Sequence, residues 1–213
     1  MKLRKFRRFI LASASPQRKR LLAKLSIPFV VIPSRVGEDS PEKDPRRLVV
    51  DLALRKALSV AQRRPQDLVL GADTVVWCRG KFCLKPRDAR DGARMLGWLN
   101  GRWQEIHTGV ALVAEGGRRV WTGAAVSRAL ARKLPPRTLK AMAAKHLDKA
   151  GGYAVQDKDD PFIRKVVGER SNVIGLPLGA VRRLLRRALG PERTPRAGKR
   201  KTGRLSARRP RPR

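Results

Sequence analysis

The chain has 213 residues, 41% of them apolar, with 51 Lys and Arg against 17 Asp and Glu and a formal net charge of +34. That length and apolar content suffice for one buried core, and no apolar run approaches the ~18 residues of a membrane-spanning helix, so a single cytoplasmic domain is expected. The charge first suggests a nucleic-acid binder, because neutralised phosphates give affinity regardless of sequence, but basic residues occur in every segment and equally fit a general compositional bias.

The N-terminus MKLRKFRRFILASASP imitates a signal peptide, yet only Phe9 to Ala12 are consecutively apolar, short of the roughly 7 to 15 residues such a segment needs. Phe9 to Ser13 reads as a short strand. Ser15-Pro16 then supplies an N-cap and a first-turn proline for a helix through Leu25. Phe29 to Pro33 reads as a second strand and 46–64 as a helix. The run LVLGADTVVWC (68–78) and residues 81–84 read as strands around Arg79-Gly80, and Asp88 caps a helix ending near Asn100. Strands are expected at about 105–114 and 118–130, joined by Glu115-Gly116-Gly117. A short helix follows Pro135-Pro136, then an irregular glycine-rich and acidic stretch from Asp148 to Asp160, and a last helix from about Pro177 to Leu189. Alternating strands and helices predict an α/β layered domain over 1–190. From Pro191 the chain holds ten basic residues, one acid and almost no large apolar side chain, which predicts a disordered basic tail over 191–213 able to touch nucleic acid without sequence preference.

Neither common nucleotide fingerprint, GxxxxGK[ST] or GxGxxG, is present. Three other features point to chemistry. Asp73 interrupts an apolar strand, where an ionised carboxylate persists only with a partner. Arg18, Lys19 and Arg20 crowd the first turns of a helix, where the macrodipole disfavours cations unless an anion binds. Lys56 falls on the stripe formed by Val49, Leu52, Ala53, Ala57 and Val60, so it either meets an acid or anion or snorkels along the apolar surface. Glu38 and Lys85 in flanking loops complete a possible set or are plain loop charge. Cys78 and Cys83 flank the hairpin turn with too few neighbouring ligands for zinc, and read as reduced thiols.

The blocks LASASPQRKRLL, GADTVV, KPRDA, TGVAL, LDKAGGYAVQ and SNVIGLPL stand in the order and spacing of the Maf family, which the chain resembles from residue 9 to about 187. The resemblance implies a nucleoside triphosphate pyrophosphatase. Its fold would be a three-layer α/β/α with a central mixed sheet, like that of inosine-triphosphate pyrophosphatases. The family is usually dimeric, depends on a divalent metal (magnesium or manganese), and is associated with arrest of septum formation. In that family's terms Asp73 is the proton acceptor, placed in a turn at a strand's end with its carboxylate open to the site. Glu38 shares the metal with Asp73. Arg18, Lys56 and Lys85 hold the phosphates, and Ser13 with the helix N-terminus adds hydrogen bonds.

Base selection in the resembling family involves the positions occupied here by Gln17, Thr74 and Gln156. Thr74 and Gln156 match the branch acting on dTTP and UTP, whereas Gln17 stands where that branch has arginine. Gln104 replaces a frequent histidine, and QDKDD at 156–160 replaces a more glycine-rich run, whose added acids either solvate a loop or alter metal binding. The expected activity is hydrolysis of dTTP, UTP or modified pyrimidine triphosphates to monophosphate and diphosphate. The competing expectation is a basic nucleic-acid-binding or septum-inhibiting interaction protein with little catalysis.

Overall fold

A computed structural model describes residues 5–157 and 159–190; the basic segment 191–213, and with it the expectation of a disordered tail, lies outside the described residues. In chain order the elements are β1 (Phe9–Leu11), α1 (Pro16–Ala23), β2 (Val30–Val31), α2 (Pro45–Ala61), β3 (Leu68–Cys78), β4 (Lys81–Cys83) and α3 (Ala89–Leu99). They continue as β5 (Trp103–Ala114), β6 (Arg119–Ala131), α4 (Pro136–Met142), β7 (Ile163–Val167), α5 (Arg170–Ile174) and α6 (Leu178–Leu189). The helix starts are local chemistry. Ser15, Asp44 and Asp88 each accept from a backbone N–H of the turn they open, and Pro16 and Pro45 fill first-turn positions where no N–H is needed. Arg79 and Gly80 take φ of 47° and 77°, the two positive values that a tight hairpin requires.

One sheet of seven strands runs in the order β2-β1-β3-β5-β6-β7, with β4 paired to β3. β1 is parallel to both neighbours and the remaining pairs are antiparallel, so the sheet is mixed as expected. Helix α2 covers one face, closing a layer of Ile10, Val69, Ala111 and Val113 under Ala53, Ala57 and Val60. The other face carries two apolar clusters. One sits under α1 and α6 around Leu22, Leu70, Leu112 and Leu184; the second lies under α3 and α4 around Val76, Leu96, Ile106 and Phe162. These layers give the α/β/α arrangement. Among the described residues no helix is long and apolar enough to cross a membrane.

Three details differ from the sequence reading. Helix α1 stops at Ala23, where Lys24, Leu25 and Ser26 close tight turns onto Leu21, Leu22 and Ala23 and Ser26 enters positive φ. Strand β2 is two residues rather than five, because it pairs only with Ile10 and Leu11. Strand β7 and helix α5 had no counterpart in the expectation: one is a five-residue edge strand, the other a five-residue helix too short to show a period.

Candidate active site

A cleft opens where β3 loses its neighbour. β1 pairs with β3 only as far as Leu11 beside Leu70, and β4 takes up the same side at Cys83 beside Val76, while β5 follows the other edge without a break from Val69 to Trp77. From Gly71 to Val75 one edge of β3 therefore has no strand beside it among the described residues, and a cavity of about 570 Å³ fills the gap. Its walls come from the β1–α1 loop, the loop before α2, the exit of β4, the 148–156 segment and the end of α5.

Successive side chains of β3 point to opposite faces, so Asp73 and Thr74 serve different partners. Asp73 faces α2. The Lys56 ammonium lies 2.5 Å from Asp73 Oδ1 and 2.7 Å from Glu38 Oε1, and Lys85 Nζ reaches both Glu38 oxygens at 3.1 Å. Lys56 is 6% exposed and Asp73 5%, so the lysine head stays inside and does not snorkel. This corrects the placement of Asp73: it lies in the middle of β3, buried and ion-paired, not in a turn at a strand's end. The opening beside it comes from the ending of β1, and its Oδ2, which takes no hydrogen bond from the described residues, is left to the cavity that Asp73 lines.

The close seat of α2 makes this pairing possible. A Cβ on Gly71 would meet the Ala53 carbonyl oxygen at 2.2 Å, and one on Gly109 would meet that of Val49 at 2.1 Å. Burial pushes the Glu38 carboxyl up, but the hydrogen bonds and charges of Lys56 and then Lys85 outweigh it and hold its pKa at about 2. Glu38 is thus an anion throughout the physiological range.

On the opposite face Arg18 donates to Gly175 O (2.9 Å), Thr74 Oγ1 (3.2 Å) and Ser13 Oγ (3.4 Å). Burial lowers the Arg18 pKa, and the charges of Asp73 and Glu38 oppose that shift. Ser13 Oγ also accepts from Ser15 N at 3.2 Å, which leaves its own O–H to donate into the cavity. Gln17 Oε1 accepts from Ser15 Oγ at 3.0 Å. All nine residues named from the sequence, Ser13, Gln17, Arg18, Glu38, Lys56, Asp73, Thr74, Lys85 and Gln156, line this one cavity.

Other lining groups were not singled out. Lys149 belongs to the LDKAGGYAVQ block and pairs with Asp148 at 2.7 Å, and Asp39 and Glu42 stand near Glu38. Among the described residues the cavity wall thus carries four cations (Arg18, Lys56, Lys85, Lys149) and five carboxylates (Glu38, Asp39, Glu42, Asp73, Asp148), a slight negative excess inside a strongly basic protein. The acids of QDKDD serve their loop. Asp160 accepts from Ala154 N and Phe162 N, and with Asp157 it lies within 3.6 Å of His146 Nε2. Gln104 is buried on β5 outside the cavity lining.

The described residues contain no group of three or more His, Cys, Asp or Glu side chains disposed to hold a metal ion. Two carboxylates, Asp73 and Glu38, do suit a magnesium-type cation, which commonly takes one or two protein carboxylates and fills its other positions with water and phosphate oxygens. The negative excess of the wall agrees with a site that receives a cation together with an anionic substrate.

The family described as Maf-like protein matches residues 8–188. A dTTP/UTP pyrophosphatase of Elusimicrobium minutum is 44% identical over 179 residues, covering 84% of this chain and 97% of that protein. A dTTP/UTP pyrophosphatase of Thermomicrobium roseum is 44% identical over 190 residues, 87% of this chain and 86% of its own. A nucleoside triphosphate pyrophosphatase of Synechococcus elongatus is 38% identical, covering 84% and 92%.

Proposed function

The chain belongs to the Maf family, and from that premise and the geometry of the cleft we propose that it hydrolyses dTTP and UTP, water adding at phosphorus as the bond between the α and β phosphates breaks, to release the nucleoside monophosphate and pyrophosphate. The observation that carries the reading is the ion cluster of Asp73, Lys56, Glu38 and Lys85 on one wall of the β3 cleft, with Arg18 anchored from the opposite face of the same strand.

In this reading Asp73 Oδ2 accepts the proton of the attacking water, while Oδ1 is held by Lys56 so that the carboxylate cannot rotate away. Arg18, Lys56, Lys85 and the Ser13 hydroxyl orient the phosphate chain and balance charge that grows on its oxygens. Asp73 and Glu38 would hold one magnesium or manganese ion, which supplies positive charge to the same phosphate oxygens. Gln17 and Gln156 reach the cavity as neutral amides, able to donate to and accept from a base edge; Gln17 forgoes the charge of the arginine found in the resembling branch.

A nucleotide pool and two free, buried thiols, with the Cys83 pKa pushed up to about 11 by burial, suit a reducing cytoplasm. We propose a homodimer as well. Four of the seven exposed large apolar side chains among the described residues, Trp103, Val120, Val126 and Val167, lie on the α2 side of β5, β6 and β7, outside the part of that face that α2 covers.

The test is pyrophosphate release from a panel of nucleoside triphosphates, with magnesium, with manganese and with chelator, for the protein and for Asp73→Asn. Metal-dependent release that is greatest with dTTP and UTP, and lost in a normally folded Asp73→Asn, is expected. Orthophosphate release, or turnover indifferent to Asp73→Asn, would refute the assignment.

A further inference from the structure

We propose that Thr108 and Asn172 are positioning residues for Arg18, forming a buried polar seam that fixes two of the three acceptors holding its guanidinium; the inference rests on the pyrophosphatase reading. The seam is visible first as a break in pattern. On the face opposite α2, β3 presents Leu68, Leu70, Ala72, Thr74, Val76 and Cys78, and β5 presents Ile106, Thr108, Val110 and Leu112. Each run has one hydroxyl, and the register places Thr74 directly opposite Thr108, on the line that divides the two apolar clusters of that face. Thr108 is 0% exposed. Packing alone would be served by valine, which has nearly the same shape and no hydroxyl to desolvate.

Proton counting gives the seam a direction. Thr108 Oγ1 donates to the Asn172 carbonyl at 3.2 Å, which spends its single proton. In the 3.0 Å contact with Thr74 it is therefore the acceptor, and Thr74 the donor. The lone pairs of Thr74 are then turned to Arg18, whose Nη2 donates at 3.2 Å. Replacing the Thr108 hydroxyl frees the Thr74 proton to rotate, including toward the guanidinium it should accept from; a weaker 3.5 Å contact to Gly175 O is its other outlet.

The second acceptor of Arg18 is set by the same residues. Helix α5 has five residues, too few to hold its own shape, and is fastened by Asn172. The Asn172 amide donates to Ile106 O on β5 (3.0 Å) and Ser127 Oγ on β6 (2.9 Å), entirely buried. Ser127 in turn donates to Glu169 O at 3.1 Å, just ahead of the helix. The helix closes on Gly175 at φ 116°, and that residue's carbonyl receives Arg18 Nε at 2.9 Å. Thr108 and Asn172 thus act on the phosphate-binding cation without lining the cavity themselves.

A double-mutant cycle separates positioning from plain packing. Thr108→Val should lower kcat/KM for dTTP about tenfold, the effect of one hydrogen bond, with a small change in Tm, and Thr108→Ser should restore it to within about twofold. In an Arg18→Ala background Thr108→Val should change kcat/KM by less than about twofold, because the group it acts through is gone. The Arg18 Nε–H resonance gives a readout independent of turnover: Thr108→Val should shift it and speed its exchange with solvent. Equal losses in both backgrounds, an unmoved Arg18 signal, or a Thr108→Val chain that fails to fold would each overturn the proposal. A protein inert toward every triphosphate while Thr108→Val still moves the Arg18 signal would refute the pyrophosphatase reading on which the proposal depends and leave only the structural coupling.

Discussion

Lys56 decides the chemistry of the cleft because it is one ammonium between two carboxylates. Burying an ion pair brings little net stability, but removing one partner leaves a charge stranded. Lys56→Met keeps most of the stem's packing and deletes only the charge, leaving Asp73 buried beside an apolar side chain. We expect kcat/KM to fall by roughly 1.5 to 3 kcal/mol and Tm to drop, with Tm but not turnover recovering when Asp73→Asn is added. Unchanged kinetics would make Lys56 an ordinary helix residue. Glu38 offers a pH test at the same cluster. Its folded pKa of about 2 lies below the ordinary 4.5, so its contribution to stability is complete above about pH 4.5 and is lost as pH falls through 2. The carboxylate is half-exposed and screened, so the effect is modest. The Tm difference between the protein and Glu38→Gln should hold constant from neutral pH to about 4.5 and shrink below it; a difference that persists at pH 2 would assign the loss to packing instead.

At the scale of elements, the site depends on how closely α2 lies on the sheet. Gly71 precedes the Ala72-Asp73-Thr74 run by one residue and has no room for a Cβ, since the Ala53 carbonyl stands 2.2 Å from where it would be. Gly71→Ala must lift α2 and with it the Lys56 ammonium, so we expect a loss of about 1 to 3 kcal/mol in denaturant unfolding, with a fall in kcat, while β3 itself survives. A normal melting curve would mean that α2 yields without cost. This is also where the sequence stops being legible. Helix starts were readable from Ser15 and Asp88, and Lys56 announced itself on an apolar stripe, because caps and periodicity are local. The gap beside Asp73 was not, because it is made by the early end of β1 some sixty residues away and by the late entry of β4. Helix α5 was missed for a related reason: five residues hold their shape only through the long-range bonds of Asn172. Thr108 is one more threonine in the sequence until the β3–β5 register sets it beside Thr74.

Over the whole molecule the charge is divided unevenly, and the division predicts kinetics. The chain carries +34, whereas the described residues of the cavity wall hold five carboxylates against four cations, so attraction of a polyphosphate at a distance comes from the surface and not from these groups of the pocket. Residues 191–213 contribute ten basic groups to one acid. Such a field concentrates anions near the protein and is screened over about 8 Å at physiological salt, so it acts on approach more than on the chemical step. Raising monovalent salt from about 50 to about 200 mM at fixed free metal should therefore lower kcat/KM for dTTP several-fold while kcat at saturating substrate changes little. A chain ending at residue 190 should keep the kcat and Tm of the full protein, because it retains every described residue that lines the cavity, but its kcat/KM should respond less steeply to salt. DNA binding should weaken in the same truncation and lose part of its salt slope. If the shortened chain instead loses turnover at saturating dTTP, then residues beyond 190 reach the reacting groups, and the basic segment belongs to the active site as well as to the field around it.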